Sequence, residues 1–460
     1  MAGGTSLMWT LAEAVARAGG ALQGADLAFT GVGTDSRADC SGQLFIALRG
    51  ERFDGHLYVE AAKRAGAVAA MVDHPLDLDL PQWVVPDTRL GLGRLAAAWR
   101  DRFRGRIVAV TGSNGKTTVK EMLAAILGRA GRVRATRGNL NNDIGMPLTL
   151  LQARDEDYLV LEMGANHHGE IGYMTDIARP DVALITNAGR AHLEGFGSLE
   201  GVARAKGEIA RGLSPGGTFV VAGDSPFIGL WRELAGERSL FSFGMEPGAS
   251  DLSADPGSVS VAWDEEGFRT RFTALRGGAK IPVQLRLAGR HNVRNALAAA
   301  SAALALGVEV ERIQEGLVGL LPVKGRLCPR SCSGLSLIDD TYNANPDSIA
   351  AAVQVLMDLD GRRWLVLGDL GELGADSAQL HREIGAMALD AGVDRLATVG
   401  TLTAGASEAF GPGARHFSEQ GALIQYLRSE LGPEDRILVK GSRTARMELV
   451  VEALCAEVGR

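Results

Sequence analysis

The reading of this chain turns on residues 107–131, IVAVTGSNGKTTVKEMLAAILGRAG. IVAV (107–110) is an apolar run short enough for a strand buried on both faces. Beyond a glycine-bearing turn, Val119, Met122, Leu123, Ile126 and Leu127 recur at i, i+3, i+4, i+7 and i+8. That spacing puts apolar side chains on one face of a helix. Between strand and helix stand Thr111, Gly112, Ser113, Asn114, Gly115, Lys116, Thr117 and Thr118. Glycines let successive backbone N–H groups turn toward one point, and the helix N-terminus adds partial positive charge there. Lys116 is placed to reach the β- and γ-phosphates of a nucleotide, and the Thr117 hydroxyl to ligate magnesium. The common loop of this kind is G-x4-G-K-[ST], whereas Gly112 and Gly115 leave only G-x2-G-K-T. With strand, GKT and helix in register, a triphosphate site outweighs the alternative of a glycine turn before a surface lysine.

The same texture continues outward from the loop. YLVLEM (158–163), VALITN (182–187) and TFVVA (218–222) are apolar throughout, as expected of parallel strands with helices on both faces. Residues 240–287 alternate, as in VSVAW (259–263) and FRTRF (268–272), and are expected to form an antiparallel insertion. An alanine-rich helix is predicted over 292–307. On the N-terminal side, LFIAL (44–48) and VAAMV (68–72) read as strands around a helix at 56–66, and a second helix covers 90–103. On the C-terminal side, LSLIDD (335–340), RWLVLGDL (363–370), RLATVG (395–400) and RILVKG (436–441) resume the strand pattern. The fold class is therefore α/β in three domains. An N-terminal α/β domain covers 1–86, a central parallel-sheet domain of the phosphate-loop type 87–322, and a Rossmann-like domain 323–460. The 460 residues fit that division at about 150 per domain.

Composition narrows the function. A net charge of −7 argues against a general binder of nucleic acid or membrane surfaces. Sixty glycines, nearly twice the usual ~7%, show no G-X-Y period and so mark tight turns. The cysteines are Cys40, Cys328, Cys332 and Cys455; no zinc-finger spacing links them, and reduced thiols are the default. The longest apolar run, 296–308, falls short of the ~18 residues of a membrane span. No basic residue precedes the first apolar stretch, so the N-terminus does not read as a signal peptide. A cytoplasmic protein is expected.

Other chemistry-bearing residues cluster near strand ends. Glu162 ends YLVLEM, and His192 follows VALIT in TNAGRAHLEGFGS. Open parallel sheets hold ligands beyond the carboxyl ends of their strands. Both residues are therefore expected near the loop, where with Thr117 they could hold a metal ion. Plainer accounts are a turn cap for Glu162 and a structural imidazole for His192. Lys206, in VARAKGEIA (202–210), reads alone as a solvated lysine at a helix start, and the adjacent His167 and His168 read as a turn. Asn139, Asn141 and Asn142, in GNLNNDIGMPLTLL (138–151), offer short amides to a polar ligand or to turns. In GRHNVRNALAAAS (289–301), Asn292 is a candidate N-cap, with Asn295 about one turn on. Arg326 could neutralise a γ-phosphate. Asp339 or Asp340 could hydrogen-bond a ribose, or cap the following helix. In residues 34–56, Ser36 and Arg37 form part of TDSR; Arg37 suits a diphosphate and Asp54 a hydroxyl.

TGSNGKT (111–117), the GNLNNDIGMP segment, LEMGANHHGEIGYM (161–174), HNVRN (291–295) and DDTYNANPDS (339–348) together resemble motifs of the Mur ligase family. These are ATP-dependent enzymes that join amino acids or peptides to carboxylates, and the resemblance covers essentially the whole chain. It implies ATP and Mg2+ at Gly112–Thr118, with Thr117, Glu162 and His192 as metal ligands. Lys206 falls where members of the family carry a carbamylated lysine that orients magnesium. Asn139 and Asn142 would line the substrate cleft, and Asn295 the adenine pocket. Arg326 and Asp340 would be ATP contacts from another domain. Ser36 and Arg37 would touch the nucleotide part of a UDP-linked substrate.

Residues 339–348 and KGSRTARME (440–448) resemble the branch that adds D-alanyl-D-alanine to UDP-N-acetylmuramoyl-tripeptide. That reaction runs through an acyl phosphate and serves peptidoglycan precursor synthesis, and through it cell shape and division. The DNPR-type segment of the diaminopimelate-adding branch is absent. The alternatives are a diaminopimelate- or lysine-adding ligase, or a folylpolyglutamate synthase. The expected partners are those two small molecules, with no nucleic acid and no membrane insertion, and the expected state is a monomer.

Overall fold

The computed structural model describes residues 7–456 apart from 51–52, 191–192, 265–266 and 333. The first sheet is built from Ala21–Gln23, Gln82–Val84, Ala69–Val72, Gln43–Ile46 and Gly31–Gly33, in that spatial order. Pleating sends alternate residues to opposite faces. Phe45, Ala70 and Val72 therefore pack with Val59 and Ala62 of the helix Val59–Arg64, while Leu44, Ile46, Ala69 and Met71 face the large central core. The helix expected over 56–66 begins as a 3-10 turn, Gly55–Tyr58, whose N-cap is Asp54. The helix Thr88–Arg100 then leads into the central sheet.

That sheet has ten strands. Val133–Ala135, Tyr158–Glu162, Arg106–Thr111, Val182–Ile185, Thr218–Ala222 and Ser239–Gly244 lie side by side and parallel. Leu252–Ala254 adds one more parallel strand, and antiparallel pairing starts only where Ser253 meets Leu275. The insertion thus begins about ten residues later than the alternation suggests. Ser242, Phe243 and Gly244 are buried in succession, as in a covered parallel strand, beneath the helix Arg290–Ala305. Beyond them Ser260–Asp264, Gly267–Arg276 and Ala279–Leu285 form the antiparallel part.

The third sheet runs Cys328–Cys332, Leu335–Asp340, Asp435–Lys440, Arg362–Gly368, Arg395–Val399, Ala414–Phe417, antiparallel only at its first pair. Ile338, Leu365, Leu367 and Leu438 pack on one face and Leu337, Trp364, Val366 and Val439 on the other. Helices on both sides of such a sheet give the Rossmann-like layering. The default of reduced thiols does not hold throughout. Cys332 and Cys455, 123 residues apart, have Cα atoms 4.7 Å apart and are bonded, while Cys40 and Cys328 are free. The edge strand lies beside the helix Glu448–Cys455, a proximity invisible in sequence spacing.

Arg106–Thr111 is flanked by Tyr158–Glu162 on one side and Val182–Ile185 on the other. The strand order reverses there, and a crevice opens beyond the carboxyl ends. Register sets Val110 beside Glu162 and Thr111 beside Ile185, so three connecting loops converge on one point.

Candidate active site

The loop Gly112–Gly115 leaves the central strand and enters the helix Lys116–Leu127. Gly112 has φ 146° and Gly115 φ 79°, conformations that favour glycine. A Cβ at Gly112 would sit 2.0 Å from Thr186 Oγ1, and one at Gly115 2.5 Å from Asn295 Oδ1. Neighbouring chain thus presses on the loop from two sides, and hydrogen bonds fix it. Asn114 N donates to Asn187 Oδ1 at 2.9 Å, and Thr186 Oγ1 and Asn187 Nδ2 donate to Asn114 O. Ser113 Oγ accepts from Gly189 N at 2.9 Å.

Lys116 is half-buried, not free in the cleft. Its Nζ folds back to donate to Gly112 O at 2.7 Å and Ser113 O at 3.2 Å. Burial pulls its pKa down, Glu162 opposes this, and Arg326 adds to the fall. A triphosphate would exchange those carbonyls for stronger, charged acceptors.

Glu162 is 2% exposed. Its Oε1 accepts from Asn141 Nδ2 at 2.9 Å and, at 3.4 Å, from Thr117 Oγ1. Its Oε2 is buried with no hydrogen-bond partner, a costly state for a carboxylate oxygen. Arg326, from the third domain, donates through NH2 to Thr117 Oγ1 at 3.2 Å and lies 4.2 Å over the Tyr342 ring, and its buried Nε is unpartnered. A carboxylate and a hydroxyl with one open position are the hard oxygen donors that magnesium takes, with waters and phosphate oxygens completing the shell. The residues present therefore fit Mg2+. His192 lies outside the described residues.

Lys206 departs from its bland reading. It stands near the C-terminal end of the helix Leu199–Gly207, not at a helix start, is 1% exposed, and holds Nζ 5.0 Å from the Phe196 ring centre. Burial, with Lys116 adding, brings its pKa down to about 7. Glu208 accepts from Gly169 N and Gly172 N at the start of the helix Glu170–Ala178. His167 and His168 lie in the preceding turn, both exposed, as their adjacency suggests.

The remaining candidates divide. Asn139 and Asn142 line the cleft, but Asn142 Oδ1 accepts from Gly145 N at 2.8 Å and so anchors the helix Gly145–Leu151. Asn141, in the same asparagine cluster, is the one that holds Glu162. Asn295 also lines the cleft, donating to Asn292 Oδ1 at 3.0 Å. Asn292 is not an N-cap. Gly289 takes that position, and Asn292 donates back to Ala288 O.

The strand pleat separates the two aspartates. Asp339 turns away and accepts from Thr341 Oγ1 at 2.7 Å, whereas Asp340 faces the cleft. Neither caps the next helix, Pro346–Met357, whose cap is Asn345. Asp340 Oδ2 accepts from the buried Lys440 Nζ at 2.5 Å, and Oδ1 accepts from Leu327 N. Burial raises its pKa against the pull of Lys440. His291 shares this wall, and burial, with Lys440 adding, holds its pKa at about 4.

Ser36 and Arg37 are not among the residues lining this cleft. Arg37, with its side chain 89% exposed, forks onto Asp35 through two 2.8 Å bonds. Asp54 accepts from His56 N and Arg49 Nε, which leaves it a structural part in its own turn. The cleft has a volume of about 890 Å³ and walls from the second and third domains. It is large enough for a nucleotide with a second substrate beside it.

Three family models match the chain: "Mur ligase family, catalytic domain" over 28–100, "Mur ligase middle domain" over 110–303, and "Mur ligase, glutamate ligase domain" over 325–443. The chain is 46% identical over 449 residues to the UDP-N-acetylmuramoyl-tripeptide--D-alanyl-D-alanine ligase of Escherichia coli (strain K12), covering 97% of this chain and 98% of that one. Among solved structures it resembles MurF from Acinetobacter baumannii, at TM-score 0.91 and 38% identity over 97% and 98% of the two chains. It also resembles the MurF ligase of Thermotoga maritima in complex with ADP, at TM-score 0.82 and 30% identity over 92% and 96%.

Proposed function

This chain belongs to the Mur ligase family, and from that premise we propose that it joins D-alanyl-D-alanine to UDP-N-acetylmuramoyl-tripeptide at the expense of ATP. The products are UDP-N-acetylmuramoyl-pentapeptide, ADP and phosphate. The observation that carries the reading is the convergence, in one cleft, of Lys116, Thr117, the orphaned Glu162 Oε2 and Arg326 from another domain.

A carboxylate is a poor electrophile at neutral pH. Transfer of the γ-phosphoryl group to the terminal carboxylate of the tripeptide makes an acyl phosphate, and the dipeptide amine displaces phosphate from it through a tetrahedral intermediate. The backbone N–H groups of Gly112–Thr118 hold the phosphate chain. Lys116 and Arg326 offset charge on the group in flight, by position and electrostatics. Thr117 and Glu162 would hold Mg2+, joined by His192 on the family resemblance. When bound, that ion supplies positive charge at the phosphate oxygens.

Lys206, whose pKa burial brings down to about 7, sheds its proton far more readily than an ordinary lysine and is suited to take up CO2. The resulting carbamate places an anion where the family pattern calls for one. Asn295 faces the adenine, and Asp340, with Lys440 behind it, the ribose. Asn139 and Asn142 line the path of the sugar-peptide, whose UDP end meets Ser36 and Arg37.

On this reading residues 1–86 bind the UDP-sugar, 87–322 bind ATP, and 323–460 close over the nucleotide and receive the dipeptide. The reaction belongs to the cytoplasm and to cell-wall biogenesis, and through it to cell shape and division, and the working unit is a monomer. Among the described residues no helix is long and apolar enough to cross a membrane. The test offers UDP-N-acetylmuramoyl-tripeptide with D-alanyl-D-alanine, diaminopimelate or lysine in turn and follows phosphate release. Release with D-alanyl-D-alanine is expected. Release with a single amino acid but not with the dipeptide would overturn the assignment.

A further inference from the structure

Arg326 is not the third domain's only contact with the phosphate loop. The helix Pro346–Met357 points its N-terminal end at the crevice. Its cap residue, Asn345, uses its two side-chain atoms differently. Oδ1 accepts from Ser348 N at 2.9 Å and closes the helix end, while Nδ2 donates to Asn114 Oδ1 at 2.8 Å. Two residues on, Asp347 Oδ2 accepts from Arg190 N at 2.8 Å. Both receiving sites belong to one knitted unit. Asn114 is bound to Thr186 and Asn187, and Gly189 to Ser113 through both its N–H and its carbonyl. The fit at Gly189 is close, since a Cβ there would lie 2.6 Å from Asp347 Oδ2.

We propose that Asn345 and Asp347 form a latch that seats the third domain on the phosphate loop, with Asn114 and the Gly189–Arg190 backbone as its catch. The latch grips the loop through the Asn114 side chain and takes up none of its backbone N–H groups, of which those of Ser113 and Asn114 already donate to Asn187. Closure brings Arg326 and Asp340 onto the nucleotide, so the latch acts on turnover by positioning those groups from the wall of the same cleft. Its effect on turnover rests on the ligase reading above; its effect on domain closure does not.

The test is a double-mutant cycle with Asn114→Ala and Asn345→Ser. Serine still caps the helix but is too short to reach Asn114. Alanine removes the only hydrogen bond that the Asn114 side chain makes among the described residues. One neutral hydrogen bond corresponds to a loss of about three- to tenfold in kcat for each single variant. The double variant is expected to fall no further than the worse single one, with unfolding temperatures unchanged. Full kcat in either single variant, or a double loss equal to the product of the two, would overturn the latch. Gly189→Ala, which removes no side chain, is expected to reproduce the loss by pushing Asp347 away.

X-ray scattering separates the two claims. With a non-hydrolysable ATP analogue and Mg2+, the unaltered chain is expected to contract and the variants to contract less. Contraction without pentapeptide synthesis would sink the activity and leave the latch standing. Equal contraction in all variants would sink the latch.

Discussion

Replacing Lys206 by methionine sets stability against activity. The side chain is 1% exposed, and burial, with Lys116 adding, takes its pKa from 10.5 to about 7. The unfolded chain keeps the proton up to about 10.5, whereas the folded chain releases it above about 7. Between those values the unfolded state binds more protons, so stability rises with pH there and Lys206 adds no slope on either side. The fall from 10.5 to about 7, at about 1.4 kcal/mol per pH unit, amounts to roughly 5 kcal/mol held against folding at pH 7. Relaxation around the ammonium reduces this, so Lys206→Met is expected to gain about 2–4 kcal/mol at pH 7. The gap should narrow to about 1–2 kcal/mol by pH 9.5. The assay is urea unfolding in CO2-free buffer, followed by fluorescence at both pH values, beside a phosphate-release assay in bicarbonate. The variant should be the more stable protein and the inactive one. A methionine variant no more stable than the native chain at pH 7, or a gap that does not narrow with pH, would refute the reasoning.

Glu162→Gln keeps the shape and the bonds to Asn141 and Thr117 but removes the charge beside an orphaned oxygen. Turnover should fall at least about a hundredfold, with thermal stability in the absence of nucleotide within about 1 kcal/mol of native. Lys116→Ala should abolish turnover and ATP affinity while costing about 1 kcal/mol of stability, since only two loop carbonyls lose a donor; calorimetric titration and thermal melts read both. In the third sheet, burial pushes the Asp435 carboxyl up, but hydrogen bonds from Arg362, Gly432 and Trp364 outweigh it and hold the pKa below the usual carboxylate range. Its stabilisation is therefore present at neutral pH and is lost as acid titrates the folded carboxyl. Asp435→Asn should cost about 3–5 kcal/mol in urea unfolding and leave the affinity of the central domain for nucleotide intact.

Parallel strands and the layered third domain are legible from local periodicity, and the phosphate loop from glycines and a GKT that are contiguous in the sequence. The short spacing Gly112–Gly115 still makes the turn, because both glycines take positive φ, and Thr186 and Asn295 leave no room for a Cβ at either. What escapes a one-dimensional reading is contact between distant segments. Lys206 looks solvated until Phe196 and the helix Glu170–Ala178 cover it. Asn141 and Asn142 are indistinguishable as letters, yet one holds Glu162 and the other accepts from Gly145 N at the start of a helix. The Cys332–Cys455 bond joins positions 123 residues apart. The choice between Asp339 and Asp340 falls to strand pleating once the register with Asp435–Lys440 is known. The start of the antiparallel part is misplaced because a covered parallel strand can also alternate in polarity.

The central claim is that this cleft activates a carboxylate by phosphorylating it. UDP-N-acetylmuramoyl-tripeptide labelled with 18O in its terminal carboxylate, incubated with ATP, Mg2+ and D-alanyl-D-alanine, tests it by mass spectrometry of every product. The account predicts one 18O in each inorganic phosphate released and one retained in the new amide carbonyl. Label appearing in AMP, or phosphate released with no label, would contradict it.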